Sequence, residues 1–127
     1  MKYFTTLLLF IITLIVSSCN DTESRTKQLV RDFMKENMLI SNIENEEFGK
    51  IDSTCRVTPQ RVEQMRKDVK MLPQYQKNIK YAVGQPSPVM LYVTVKYDII
   101  TSTAKKTCKQ TFYIDKAATR IIAFKDN

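Results

Sequence analysis

Three alternating segments joined by two very short turns close this chain, and they leave few folds open. In the first, Val89, Leu91, Val93, Val95, Tyr97 and Ile99 alternate with Met90, Tyr92, Thr94, Lys96 and Asp98. A period of two puts one set on each face of a strand. Ser102-Thr103-Ala104 then turns the chain, and Lys105 to Asp115 follows with Cys108, Phe112 and Ile114 on one side. Lys116-Ala117-Ala118 turns it again, and Thr119 to Phe124 ends with Ile122 and Phe124 sharing a face. Turns this short join antiparallel neighbours, because parallel strands need a long crossover. The C-terminal part therefore predicts a meander, and such a sheet needs a cover on its apolar face.

The upstream half supplies candidates for that cover. Ser24 can cap a helix running to about Ile40, with Leu29, Val30, Phe33, Met34, Met38 and Leu39 as its apolar positions. Arg25, Lys27, Arg31, Asp32, Lys35 and Glu36 take the wet side. Ser41 to Glu47 is polar and acidic and reads as a connection; Phe48 to Val57 reads as a strand with Ile51, Ser53, Cys55 and Val57 on one face. Thr58-Pro59 opens a second helix, Thr as cap and Pro at the first helical position. Val62, Met65, Val69 and Leu72 follow at spacings of three or four, and Pro73 ends it. Asn78 to Val83 predicts a short strand and Gly84 to Pro88 a turn. Helices segregated from a meander make an α+β fold: two helices packed on a curved antiparallel sheet of four to five strands, in one domain over residues 24–127. That element order resembles the cystatin-like and NTF2-like roll, which implies a concave sheet face under the helices.

The beginning of the chain speaks of address. Met1-Lys2 precedes the apolar run Leu7 to Val16, and small residues follow. A basic start, an apolar stretch of this length and small residues make a secretory signal peptide, here residues 1–18. The run is shorter than the roughly 20 apolar residues that span a bilayer. Val16-Ser17-Ser18-Cys19 resembles the lipobox of bacterial lipoproteins. The resemblance implies that Cys19 is lipidated and becomes the mature N-terminus, with residues 19–23 as a tether. Each acyl CH₂ buried in the bilayer would contribute about 0.8 kcal/mol. The alternative is an ordinary signal peptide cut near Ser18, with Cys19 incidental. Asn20 rather than Asp follows the cysteine, so the best-known inner-membrane retention signal is absent; the expected address is the outer membrane of a Gram-negative cell envelope, on either face.

The chain is basic, with a net charge of +7. An exported lipoprotein does not meet nucleic acid, so Arg61, Arg66, Lys67 and Lys70 with Lys105, Lys106 and Lys109 either form a patch for headgroups or polysaccharide or keep the surface solvated. With Cys19 set aside, Cys55 and Cys108 remain, and two cysteines in an exported domain predict a disulfide. No histidine occurs anywhere. A Cys–His nucleophile is thereby excluded, and zinc lacks ligands. Glu44, Glu46, Glu47 and Asp52 lack the spacing of a calcium loop and read as a solvated loop. No glycine pattern for a nucleotide is present, and no cofactor or metal is expected.

Five tyrosines, Tyr75, Tyr81, Tyr92, Tyr97 and Tyr113, are many for a small domain without tryptophan. They can stack on sugars or anchor a peptide, or simply cover core margins and sheet edges. Tyr92, Tyr97, Tyr113 and Asp98 are the residues to watch for ligand or partner contacts. An Asp in an apolar pocket can serve as a base, but Asp98 shares its face with Lys96, the expected solvent face. The expectation is a non-catalytic interaction or accessory module of the cell envelope. It would be held to a membrane by its lipid and bind an envelope protein. A small-ligand-binding domain of the NTF2-like kind is the alternative, and an enzyme comes third.

Overall fold

The computed structural model describes residues 21–81 and 87–127. The signal peptide, Cys19, Asn20, Ala82 and Val83 of the expected 78–83 strand, and Gly84 to Pro86 of the expected 84–88 turn lie outside the described residues. A helix, α1, covers residues 21–37. The other elements are β1 (Ile43–Phe48), β2 (Asp52–Thr54), α2 (Pro59–Asp68) with a 3₁₀ turn (Val69–Met71), β3 (Met90–Ile100), β4 (Lys105–Asp115) and β5 (Ile121–Asp126). The five strands form one antiparallel sheet in the order β1-β3-β4-β5, with β2 beside β1 on the same edge of β3. This is an α+β fold of the expected kind.

The meander stands where the alternation puts it. β3 and β4 pair without interruption from Met90↔Asp115 to Ile100↔Lys105. Val93, Val95, Tyr97, Cys108, Phe112, Ile114 and Phe124 line one face, and Val30, Phe33 and Met34 of α1 close over them. Phe33 meets Phe112 and Phe124 edge-on at 5.9 and 5.6 Å between centroids, while Phe112 and Phe124 stack at 5.0 Å. These ring geometries are the favoured ones.

Several boundaries differ from the sequence reading. The helix already includes residues 21–23, so Ser24 is not its cap and the expected tether loses those three residues. It ends at 37, because Asn37 turns its amide back to the Phe33 carbonyl at 2.9 Å and Met38 leaves to bridge Tyr75. Ser41 to Glu47 is mostly strand rather than connection. The cause is a bulge: Glu44 faces Asp98 and Glu47 faces Lys96, so Asn45 and Glu46 together oppose Tyr97. Asn45 takes φ 56°, which Asn tolerates better than most residues. The extra residue erases the period of two. The single strand expected over 48–57 is two short pieces, broken where Gly49 donates its N–H to the Thr94 carbonyl at 2.8 Å. Residues 78–81 hold no strand; Ile79 and Tyr81 pack on the core at a spacing of two without a ladder. A second bulge, between Tyr113 and Ile114, turns Ile122 to the face opposite Phe124, although the two were expected together.

Thr58 caps α2 as expected, its Oγ1 accepting the Arg61 N–H at 3.1 Å. The apolar stripe of α2 straddles an edge of the sheet. Val62 and Met65 pack with Met90, Ile122 and Ala123 on the face away from α1, whereas Val69 and Leu72 join the main core. Arg66 Nε donates to the Ile122 carbonyl at 2.9 Å.

The expected Cys55–Cys108 disulfide is not present: both cysteines are free, Cys55 exposed and Cys108 buried. Register explains it. Cys55 follows Thr54, which pairs with Met90, while Cys108 pairs with Tyr97. Seven strand residues separate those levels, about 23 Å, against the 7 Å limit for a bridge. Burial pushes the Cys108 thiol up, which lowers its thiolate fraction. Native alkylation is therefore expected to modify Cys55 and spare Cys108 until denaturant is added; protection of both against alkylation, lifted by reductant, would restore the bridge.

Asp115 fastens the β4–β5 turn. Its Oδ1 accepts the N–H groups of Thr119 and Arg120 at 2.7 and 2.8 Å, and its Oδ2 accepts the Thr119 hydroxyl at 2.6 Å. Ala118, at φ 56°, makes the tight return possible. Burial alone would raise the carboxyl, but these bonds outweigh it and hold it below the usual carboxylate range. Its stabilising effect is thus present above the unfolded-state value and lost as pH falls through the folded one. Asp115→Ala is expected to cost about 2 kcal/mol at neutral pH and much less near pH 2. An equal cost at both, by denaturant titration, would show that the ionised form is not what matters.

Candidate functional site

The unbroken β3–β4 register decides which expected site residues meet. Tyr92 and Tyr113 are direct cross-strand partners on the face away from α1, their rings 6.2 Å apart and tilted by 34°. They floor a cleft of about 410 Å³ walled by Ser53, Thr54, Arg56 and Val57. The wall exists because β2 stops at Thr54 and the chain then lifts away toward α2. Thr54 Oγ1 accepts the Arg56 N–H at 3.2 Å, and Asp52 Oδ1 accepts the Ser53 N–H at 2.8 Å.

Tyr97 and Asp98 are not part of this cleft. Tyr97 is wholly buried in the core beneath α1. Asp98 is on the face opposite α1, as alternation requires, but is covered rather than solvated. Its Oδ1 accepts the Thr107 hydroxyl at 2.6 Å, its Oδ2 accepts the Asn45 amide at 2.8 Å, and Lys105 stands 3.8 Å away. Thr107 first and Asn45 second hold the carboxyl below its ordinary range. A general base would need the opposite shift. Asp98 ties the β1 bulge to the sheet.

The face beneath α1 contains polar groups, most of them engaged with one another. Tyr75 donates to Gln110 Oε1 at 3.3 Å, Gln110 donates to Asp126 at 3.0 Å, and the Gln74 amide reaches the Tyr97 hydroxyl at 3.4 Å. Burial pushes the Tyr75 and Tyr97 hydroxyls up. The Tyr81 phenol is pushed up to about 12 by burial, against the pull of Arg66, whose guanidinium lies 4.6 Å from the ring. Gln74 Oε1 and the Tyr81 hydroxyl are buried without a hydrogen-bond partner. Phe33, Tyr75, Tyr97, Phe112 and Phe124 fill the space between α1 and the sheet.

A second concavity went unread in the sequence. Beyond the end of α1, Met34, Met38, Leu39, Ile40 and Ile43 border an apolar groove of about 430 Å³, with Lys35 at its rim. Leu39 is 70% exposed, although it was expected on the buried stripe. The signal was available: Val30, Phe33, Met34 and Asn37 complete the buried stripe, and Leu39 and Ile40 fall past it. The basic residues divide, with Lys105, Lys106 and Lys109 on β4 and Arg61, Arg66, Lys67 and Lys70 on α2 and its 3₁₀ turn. Glu46 of the acidic segment pairs with Arg31 at 2.8 Å. No group of three acidic or cysteine residues among the described ones could hold a metal ion.

No family model, curated protein or solved structure matches this chain.

The buried face of α1 and the exposed segment just past its end should respond differently to substitution. Leu39→Asp is expected to change stability by less than about 0.5 kcal/mol, and Met34→Ala to cost about 2–4 kcal/mol. A cost at Leu39 approaching that at Met34, in thermal unfolding, would mean that the groove is closed in solution.

Proposed function

We propose that this chain is an exported lipoprotein whose single α+β domain serves as a non-catalytic interaction module of a Gram-negative cell envelope, on the outer membrane. The observation that carries this reading is Val16-Ser17-Ser18-Cys19, standing directly after an apolar run and directly before the domain. Only Asn20 lies between the lipidated cysteine and the helical residues, so the link spans about 7 Å at full extension. The lipid then holds the domain close to the bilayer, by the N-terminal end of α1.

The placement of surfaces supports a protein partner. α1 runs over residues 21–37, about 25 Å, so the apolar groove at its far end is held away from the anchor, where an envelope protein can reach it. The filled face beneath α1 supports surface binding over a ligand pocket of the NTF2-like kind between helix and sheet.

Intact mass of the protein from its own membranes tests the anchor. The expected species begins at Cys19 and carries acyl chains, and Cys19→Ser should move the protein from the membrane fraction to the soluble exported fraction. A mature N-terminus elsewhere, or an unmodified Cys19, would overturn the proposal. Cross-linking from position 39 in the anchored protein should give one recurrent envelope partner that the Cys19→Ser protein loses.

A further inference from the structure

We infer that the Tyr92/Tyr113 cleft is a saccharide site that takes a pyranose ring on its aromatic floor. The inference goes beyond the anchored-module reading and does not depend on it, because the cleft and the apolar groove lie on different parts of the domain.

A pyranose ring has two chemically distinct aspects. Its axial C–H groups make an apolar face, and its equatorial hydroxyls make a rim that both donates and accepts hydrogen bonds. The cleft offers the complement of each. Tyr92 and Tyr113 lie side by side at 6.2 Å with a modest tilt, a broad aromatic floor rather than a closed stack. Both are partly exposed, so the floor is open to a ligand while its Cβ positions are fixed by the ladder. Tyrosine suits this role because an apolar ring carries a polar end.

The wall supplies polar groups of both kinds. Thr54 Oγ1 is occupied as an acceptor by the Arg56 N–H, and its own hydrogen remains to donate. The Arg56 guanidinium adds a fixed set of donors. Asp52, the cross-strand partner of Tyr92, stands next to Ser53. At about 410 Å³ the cleft falls within the range of small-ligand sites. The next pair along the ladder, Thr94 and Thr111, joins hydroxyls at 2.9 Å on the same face, so a chain of sugars could continue over the sheet.

The alternative for Tyr92 and Tyr113 is an ordinary exposed cross-strand pair that steadies the sheet. Backbone and side-chain NMR of the detergent-solubilised full chain distinguishes the two. Triacetylchitotriose, maltotriose and mannotriose serve as neutral probes. At least one of these trisaccharides should shift resonances of Tyr92, Tyr113, Thr54 and Arg56 with millimolar affinity. Tyr92→Ala and Tyr113→Ala should each weaken binding roughly tenfold, while Tyr92→Phe keeps the floor and most of the affinity. Thermal unfolding of each variant shows whether the fold persists, and Leu39→Asp should leave saccharide binding unchanged. No shift at Tyr92 and Tyr113 with any neutral probe would overturn the inference. So would binding that survives in a folded Tyr92→Ala/Tyr113→Ala variant.

Discussion

Everything in this domain is hung on the β3–β4 ladder. Eleven residues of each strand pair without a slip, and a slip of one would exchange the faces of every side chain. With Val93, Val95, Tyr97, Phe112 and Ile114 committed to one side, the core under α1 is determined. With Tyr92, Thr94, Thr111 and Tyr113 committed to the other, so is the polar face. The remaining strands attach to this pair with irregularities, bulged at Asn45 and Ile122 and broken at Gly49. The long hairpin is therefore the rule, and its neighbours are the adjustments that let the chain bend around a core of aromatic rings.

The two helices answer to that sheet in different ways. α1 lies across the apolar face and fills it with Val30, Phe33 and Met34. α2 divides its stripe around the β5 edge, so a single run of apolar residues at helical spacing serves two clusters. Spacing alone says that Val62, Met65 and Val69 are buried. It does not say that they are buried on opposite sides of a sheet.

That distinction marks how far the sequence could be read. The meander, both helices and the Thr58 cap were legible because each follows from local periodicity or a local hydrogen bond. β1 was not, because Asn45 and Glu46 together occupy one position of the ladder and break the alternation. Residues 78–81 misled for the opposite reason, having the spacing of a strand with no partner to pair. The cysteines misled because composition and compartment say nothing about register, and register leaves them about seven residues apart along β3. Of the site residues, Tyr92 and Tyr113 could be placed on a face from alternation, but their cleft depends on where β2 stops. Asp98 could be placed too, yet its partners Asn45 and Thr107 come from a bulge and from a neighbouring strand.

The hydrogen bond from Arg66 to the Ile122 carbonyl has a bearing on solubility. β5 is an outer strand of the sheet, and a bare outer strand presents a row of backbone groups on which another chain can add. Arg66 and the body of α2 occupy that row on one side, while the Asn45 bulge and the break at Gly49 spoil it on the other. Copies of the domain brought side by side would meet with both margins of their sheets obstructed, which works against their joining into a continuous sheet.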